Sequence, residues 1–167
     1  MLRARLGLFI GLTTGLAASQ IPEYAQQYRQ RLGGAIDELQ TIVSAFDADS
    51  ARYGLTQREG VARLLSSEDA FVRGRGDQME EIVARLARLA RANQKIAQSG
   101  PVGRLAALAQ NFDPQIGARA YESFEPAVPV TGEGFALGGL GFLAGFSLWS
   151  ILTAPFGRGK RRAPARV

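Results

Sequence analysis

Two uninterrupted apolar segments lie near the two ends of this 167-residue chain. The first, Leu6 to Pro22, contains no charged residue, and the second, Gly134 to Gly157, runs for 24 residues without one. A helix needs roughly 20 apolar residues to cross a bilayer. The second segment therefore predicts a transmembrane helix over residues 131–156, with Thr131 as a suitable N-cap. The first predicts a shorter one over residues 6–22.

Residues 23–130 have the periodicity of helices and no strand-like alternation. Apolar residues recur at spacings of four and three in two stretches, which is a heptad pattern. The stretches are Tyr28, Leu32, Ala35, Leu39, Ile42 and Phe46, and then Met79, Ile82 or Val83, Leu86, Leu89 or Ala90, Asn93 and Ile96. We expect one helix from Glu23 to about Asp47 and another from about Asp77 to Gln98, packed as an antiparallel coiled-coil hairpin.

Shorter helices are predicted by their capping residues. Thr56 and Glu59 form a capping box, in which each residue's side chain bonds to the other's backbone. Ser66 or Ser67 is a candidate cap for the element that follows. Gly100-Pro101 ends the second long helix, and Asp113-Pro114 begins another. The predicted fold class is an all-α membrane protein, with two transmembrane helices flanking an antiparallel, coiled-coil-like helical soluble domain.

The charge of the chain is concentrated at its two ends. The formal net charge is +5, but residues 1–5 and 158–167 carry 7 Lys/Arg and no Asp/Glu, whereas residues 6–157 carry a net charge of −2. Because positive flanks are retained in the cytoplasm, we expect a basic cytoplasmic N-terminus at residues 1–5 and a basic cytoplasmic tail at residues 157–167. Residues 23–130 would then be a periplasmic domain anchored in a bacterial inner membrane. Without a basic stripe interleaved with aromatics, no nucleic-acid partner is expected.

The first apolar segment also fits a cleaved signal peptide. It has a basic start, an apolar middle and a small-residue site at Ala17-Ala18-Ser19. Retention is favoured because Gly7, Gly11 and Gly15 form a GxxxGxxxG series, and such a helix face has no obvious use in a discarded peptide.

Glycines form a stripe in each apolar segment. Gly7, Gly11 and Gly15 lie on one face of the first helix, and Gly134, Gly138, Gly141 and Gly145 lie on one face of the second. In lipid, small residues allow helices to associate by letting their backbones approach closely. The two helices would therefore pack on each other or pair between copies, in contact with membrane lipid. The alternative is that glycine is simply common in membrane helices.

A candidate partner surface lies just after the first apolar segment. It consists of Gln26, Gln27, Arg29, Arg31, Gly33 and Gly34. Two adjacent glycines inside a helix cost about 1 kcal/mol each relative to alanine, so an interaction is expected to offset them. The candidates are packing against the return segment around residues 126–129, a tolerated weak spot, or a protein partner.

The residue inventory gives little support for catalysis. The chain has no Cys and no His, which removes thiolate chemistry, the commonest general base and the commonest metal ligand. Asp47-Ala48-Asp49 resembles the start of a calcium loop, but Arg52 stands where the loop needs glycine. No catalytic, cofactor-binding or metal-binding residue is predicted, and no enzyme activity is expected.

Several stretches carry a family resemblance. They are Ser19-Gln20-Ile21-Pro22-Glu23-Tyr24-Ala25-Gln26-Gln27-Tyr28, Arg31-Leu32-Gly33-Gly34, Glu38-Leu39, Phe46-Asp47 and Phe124-Glu125-Pro126-Ala127-Val128-Pro129-Val130-Thr131. The chain resembles the uncharacterised proteobacterial membrane-protein family catalogued as domain of unknown function 2937. The resemblance implies a small bacterial membrane protein of the same layout, and it implies no activity or cofactor.

The predicted function is a non-catalytic, membrane-anchored interaction or accessory/assembly protein. The alternative is an oligomeric channel, a transporter component or a lipid-handling protein. Neither uninterrupted apolar segment has an ionisable residue to line a pathway, which disfavours the alternative.

Overall fold

The computed structural model describes residues 2–128 and 130–155, apart from the side chains of Pro101 and Val102. Within these residues the structure contains helices and no strand, so the predicted all-α class is confirmed. The helices are α1 (Leu2–Ser19), α2 (Ile21–Arg52), α3 (Gln57–Leu65), α4 (Ala70–Gln98), α5 (Pro101–Gln110), α6 (Pro114–Glu122) and α7 (Gly132–Thr153). The predicted basic tail at residues 157–167 lies outside the described residues.

The chain forms two compact units. One consists of Met1–Tyr24 and Glu125–Val167, and it contains α1 and α7. The other, Ala25–Phe124, contains most of α2 and all of α3 to α6. We call them the hairpin unit and the central unit.

The first apolar segment is not one helix from residue 6 to residue 22. α1 ends at Ser19, Gln20 is a turn residue, and α2 begins at Ile21. Pro22 explains the interruption, because it has no N–H to donate to the preceding turn and is accommodated in the first turn of a new helix.

α7 is the one helix in the described part of the chain that is long and apolar enough to cross a membrane, judged by length and composition. Its N-terminus is fixed by Thr131, whose side chain accepts a hydrogen bond from the N–H of Gly134 at 3.1 Å. α1 is shorter, at 18 residues, and it includes Arg3 and Arg5 near its start. The structure therefore does not confirm two transmembrane helices.

The two long helices of the central unit run antiparallel. Near the end of α2, Phe46 lines a cleft together with Met79 of α4. Near the start of α2, Tyr28 stacks on Phe112 with ring centroids 5.2 Å apart, and Phe112 lines a second cleft with Leu89 of α4. Residues near the end of α2 therefore lie beside the first part of α4, and residues near the start of α2 lie beside a later part of α4.

The buried stripe of α2 departs from the predicted heptad pattern in its second half. Ile42, a predicted core residue, is 39% exposed, whereas its neighbour Val43 is 4% exposed. A straight α-helix has 3.6 residues per turn, so its buried face drifts by about 20° per heptad away from a strict 3.5 repeat. Val43 therefore lies on the buried side of α2 in place of Ile42. Supercoiling of α2 and α4 around each other stays a prediction.

The capping box is present at the start of α3. The Thr56 side chain and backbone bond reciprocally with Glu59, and the Thr56 N–H donates to the Glu59 carboxylate at 2.8 Å. Hydrogen bonds from the backbone and then the hydroxyl of Thr56 hold the pKa of Glu59 below its usual range.

α4 begins at Ala70, seven residues before the predicted Asp77. Its N-cap is Asp69, whose carboxylate accepts from the N–H of Phe71 at 2.8 Å, so the prediction that Ser66 or Ser67 caps this helix was wrong. Ser66 is instead the C-cap of α3.

The last two helices of the central unit begin at prolines. Pro101 opens α5, and Pro114 opens α6 behind its N-cap, Asp113. The Asp113 carboxylate accepts from the N–H groups of Gln115 and Ile116, each at 3.0 Å. The predicted start at Asp113-Pro114 is therefore confirmed.

Candidate functional site

The glycine stripes of α1 and α7 face each other within the hairpin unit. Gly7, Gly11 and Gly15 are buried in α1, and Gly134 and Gly145 are buried in α7. Gly138 and Gly141 are half-buried. In the structure the two helices pack on each other, which is one of the two arrangements that the spacing predicts.

At one end of the pair, glycines of α1 make room for aromatic rings of α7. A Cβ added to Gly7 would lie 2.9 Å from the ring of Trp149, and one added to Gly11 would lie 2.9 Å from the ring of Phe142. A side chain larger than hydrogen would displace the Trp149 ring at Gly7 or the Phe142 ring at Gly11. The Phe142 ring also stacks on Phe146, with ring centroids 6.0 Å apart.

At Gly15 the two backbones themselves come close. A Cβ added to Gly15 would lie 2.8 Å from the carbonyl oxygen of Gly138. Backbone atoms cannot rotate away as a side chain can, so this position has less tolerance for alanine than Gly7.

The α7 glycines accept small residues of α1. A Cβ on Gly141 would lie 2.6 Å from the Cβ of Ala18 and 2.7 Å from the carbonyl oxygen of Thr14, and a Cβ on Gly145 would collide with the Thr14 hydroxyl. That hydroxyl donates to the carbonyl oxygen of Gly141 at 2.8 Å. Sequence reasoning missed Thr14, because its role depends on a long-range contact that periodicity does not report.

Hydrogen bonds join the two chain segments of the hairpin unit at both ends of the helix pair. At one end, the indole N–H of Trp149 donates to the carbonyl of Arg3 at 3.0 Å, and the Arg3 guanidinium donates to the carbonyl of Ser150 at 2.7 Å. At the other, the Gln20 side chain donates to the carbonyl of Ala127 and accepts from its N–H, both at 3.1 Å.

Large apolar side chains cover the outside of the pair. The exposed ones are Leu2, Leu6, Leu8, Phe9, Leu12 and Leu16 on α1, and Phe135, Leu140, Leu143, Phe146, Leu148, Ile151 and Leu152 on α7. Small residues inside and large apolar residues outside reverse the usual order of a water-soluble protein.

The candidate partner stretch surrounds the buried Tyr28 and Leu32 of α2. Gln26, Arg31 and Gly34 are exposed, whereas Gln27, Arg29 and Gly33 are half-buried. None of the six belongs to the buried stripe of α2 that contains Tyr28 and Leu32.

Gly33 and Gly34 have open space beside them within the central unit. No described atom lies within 4 Å of a Cβ added to either residue. Packing against the return segment around residues 126–129, a tolerated weak spot and a protein partner therefore all stay predictions.

The end of the central unit that holds Tyr28 is fixed by specific hydrogen bonds. The Tyr28 hydroxyl accepts from the N–H of Asp113 at 2.8 Å, and the Arg31 guanidinium donates to the Ser123 hydroxyl at 2.7 Å. A Cβ on Gly117 would collide with the ring of Phe112, so α6 can lie close against the stacked aromatic pair.

The acidic residues singled out in the sequence have structural roles. Asp47 accepts from the Gln57 side chain at 2.8 and 3.1 Å, and Asp49 pairs with Arg52 at 3.2 Å. Over residues 2–128 and 130–155, no three His, Cys, Asp or Glu side chains are grouped so that they could hold a metal ion.

These features define an all-α protein with a glycine-packed pair of terminal helices and a separate helical central unit. The chain belongs to the family described as Protein of unknown function (DUF2937), whose profile matches residues 2–162. No curated protein and no solved structure matches the chain.

Proposed function

We propose that the chain is a non-catalytic protein anchored in a bacterial inner membrane, where it serves as an interaction or assembly subunit. In this proposal α1 and α7 cross the membrane as an antiparallel hairpin, with both termini in the cytoplasm and the central unit in the periplasm. The observation that carries the proposal is the arrangement of the helix pair, with glycines inside and large apolar side chains outside.

This arrangement suits lipid and not water. In lipid the hydrophobic effect does not hold helices together, so association relies on the close packing that small residues permit. In water, so large an apolar surface would be an aggregation hazard. α7 satisfies the length requirement for a span, and snorkelling of Arg3 and Arg5 toward the headgroups would let the shorter α1 span with it.

The hydrogen bonds of the hydroxyl groups in α1 and α7 also support a lipid environment for the pair. Thr13, Thr14, Ser19, Ser150 and Thr153 each donate to a backbone carbonyl within the hairpin unit. Polar groups in a hydrocarbon layer must find such partners internally, because no water is available there.

Retention of α1 is part of the proposal. Ser19 and Ala18, at the candidate signal-peptidase site, lie in a helix and approach Gly138 and Gly141 of α7. Cleavage there would remove the partner of α7. Intact-mass measurement of membrane-extracted protein should include residues 6–21, and a mass beginning near Gln20 would refute retention.

The interaction role is tested at Gly33 and Gly34. Open space beside both glycines means that a double alanine substitution should raise the stability of α2 by up to about 2 kcal/mol. If a partner backbone approaches there, the same substitution should release a stoichiometric partner during purification from native membranes. A Gly74→Ala variant, also with open space around the added Cβ, is the matched control. Recovery of all partners with both variants would contradict this surface.

The alternative of a channel or transporter component has less support. The outward side chains of the pair are large and apolar, so copies assembled around a pore would line it with hydrocarbon and not with polar groups.

A further inference from the structure

The central unit has its charges separated along its length. Residues 37–81 carry 10 Asp/Glu and 5 Lys/Arg, a net charge of −5. Residues 25–36 and 82–124 together carry 8 Lys/Arg and 2 Asp/Glu, a net charge of +6. Because α2 and α4 run antiparallel, residues 25–36 lie at the same end as the second half of α4. The central unit therefore has an acidic end and a basic end, although its net charge is nearly zero.

The basic end is where the chain enters and leaves the central unit. The unit begins at Ala25 and finishes at Phe124. The hydrogen bond from Arg31 to Ser123 shows that residues close to the two boundaries lie together. Both covalent connections to the hairpin unit therefore start from the basic end.

Three cations converge on one cleft at this end. Arg88, Arg91 and Lys95 of α4 line a cleft of about 310 Å³, together with Phe112 and Pro114. Spacings of three and four place the cations on one helix face, and all three are exposed. The cleft is open to solvent, which suits a charged headgroup better than an enclosed metabolite.

The acidic group beside this cleft is already neutralised. Asp113 lines it, but its carboxylate lies 3.5 Å from the guanidinium of Arg85 and also accepts two backbone N–H groups of α6. Arg88, Arg91 and Lys95 form no ion pair with any residue that the structure describes. Their charges are therefore available to an external anion.

We propose that the basic end of the central unit binds the headgroups of anionic phospholipids. The inference rests on the proposed membrane anchoring, and both covalent connections to the proposed membrane hairpin start from this end. The attraction between basic side chains and an anionic surface acts within about a Debye length, roughly 10 Å at 0.1 M salt.

An exposed aromatic residue supports lipid as the occupant. Tyr121 of α6, at the basic end, is 73% exposed. Tyrosine is enriched at membrane interfaces, where its ring lies among the headgroups and its hydroxyl stays in water.

The test compares two triple variants of the full chain with the same change in charge. One is Arg88→Gln, Arg91→Gln and Lys95→Gln at the basic end. The other is Arg52→Gln, Arg58→Gln and Arg63→Gln, three exposed arginines at the acidic end. Each protein is reconstituted into phosphatidylcholine vesicles with a minor fraction of phosphatidylglycerol and extracted in a lipid-retaining polymer. Mass spectrometry then gives the phosphatidylglycerol bound per protein.

We expect the basic-end variant to lose about half or more of the excess phosphatidylglycerol, and the acidic-end variant to lose none. High salt should remove the difference between the wild type and the basic-end variant, because it screens the attraction. Equal phosphatidylglycerol in all three proteins would overturn the inference. So would loss of a bound acidic protein or nucleic acid from the basic-end variant while its lipid content is unchanged.

The outcome is distinguishable from failure of the proposed function. Release of the wild-type protein from vesicles by alkaline carbonate would contradict membrane anchoring itself. A wild-type protein that resists carbonate but shows no variant-dependent lipid enrichment would contradict only the headgroup site.

Discussion

The hydroxyl of Thr14 in α1 donates to the backbone carbonyl of Gly141 in α7 at 2.8 Å. The same hydroxyl lies 2.9 Å from the carbonyl of Ile10 and 3.1 Å from that of Gly11. A hydroxyl has one proton, so the bond between the helices competes with two bonds inside α1. Gly145 makes the arrangement possible, because any Cβ there would occupy the position of this hydroxyl.

Gly141→Ala should force α1 and α7 apart. The new Cβ would lie 2.7 Å from the carbonyl oxygen of Thr14, about 1 Å inside a normal contact distance, and we expect a cost of about 1–3 kcal/mol. Spin labels on cysteines at the exposed positions Leu8 and Leu148 would report the separation by electron paramagnetic resonance. The measured distance should lengthen and its distribution broaden.

Gly139→Ala is the control for that measurement. It lies in the same helix, but no described atom is within 4 Å of its added Cβ, so the label distance should not change. Identical distances in the two alanine variants would show that Gly141 does not set the spacing of the helices.

Thr14→Val should weaken the pair by removing its hydrogen bond while keeping the side-chain shape. Hydrogen bonds between membrane helices contribute about 0.6 kcal/mol on average and up to about 1.7 kcal/mol. Thr13→Val is the control, because Thr13 donates to Phe9 within its own helix. Titration with sodium dodecyl sulfate in mixed micelles, followed by energy transfer between α1 and α7, should show an earlier separation for Thr14→Val alone.

In the central unit, Tyr28→Phe should leave the N–H of Asp113 without its acceptor while preserving the stack on Phe112. Loss of a partner for a buried donor costs about 1–3 kcal/mol, and because this donor is part-buried we expect the lower end, about 1 kcal/mol. Thermal unfolding of the full chain in mild detergent, followed by circular dichroism, should show a fall of about 4–8 °C per kcal/mol. Tyr53→Phe, at a residue that is 77% exposed, should leave the midpoint unchanged.

Two glycines near the start of α4 should respond to alanine in opposite directions. At Gly76 a Cβ would lie 2.9 Å from the backbone nitrogen of Leu65, whereas at Gly74 nothing described lies within 4 Å. Gly76→Ala should therefore destabilise the central unit by about 1–3 kcal/mol. Gly74→Ala should stabilise it by up to about 1 kcal/mol through helix propensity. Equal unfolding midpoints would contradict the close packing of α4 on α3.

Local sequence signals predicted the elements whose causes are local. The Thr56–Glu59 capping box, the Thr131 cap and the Asp113-Pro114 start are all present. The start of α4 was predicted too late because Gly74 and Gly76 weaken helix propensity. In the structure Gly76 is used for close packing on Leu65, and contact between helices outweighs intrinsic preference.

Among the candidate sites too, features with local causes were predicted and features that depend on long-range contacts were not. The glycine stripes of the two terminal helices follow from helical periodicity, and the structure places them face to face. Thr14 and the cleft at Arg88 did not emerge from the sequence. Their significance depends on which residues of other helices lie beside them. The basic end was also missed because the net charge was taken over residues 6–157 as a whole.

The membrane hairpin is tested most directly by labelling single cysteines with a membrane-impermeant maleimide in intact bacterial cells. The chain has no native cysteine, so Ala62→Cys, at an exposed position of α3, and Ala163→Cys, in the basic tail, each provide one reactive site. The proposed topology predicts that Ala62→Cys is labelled once the outer membrane is permeabilised. Ala163→Cys should be labelled only after the inner membrane is disrupted. Labelling of Ala163→Cys before inner-membrane disruption, or protection of Ala62→Cys until then, would contradict the proposed topology.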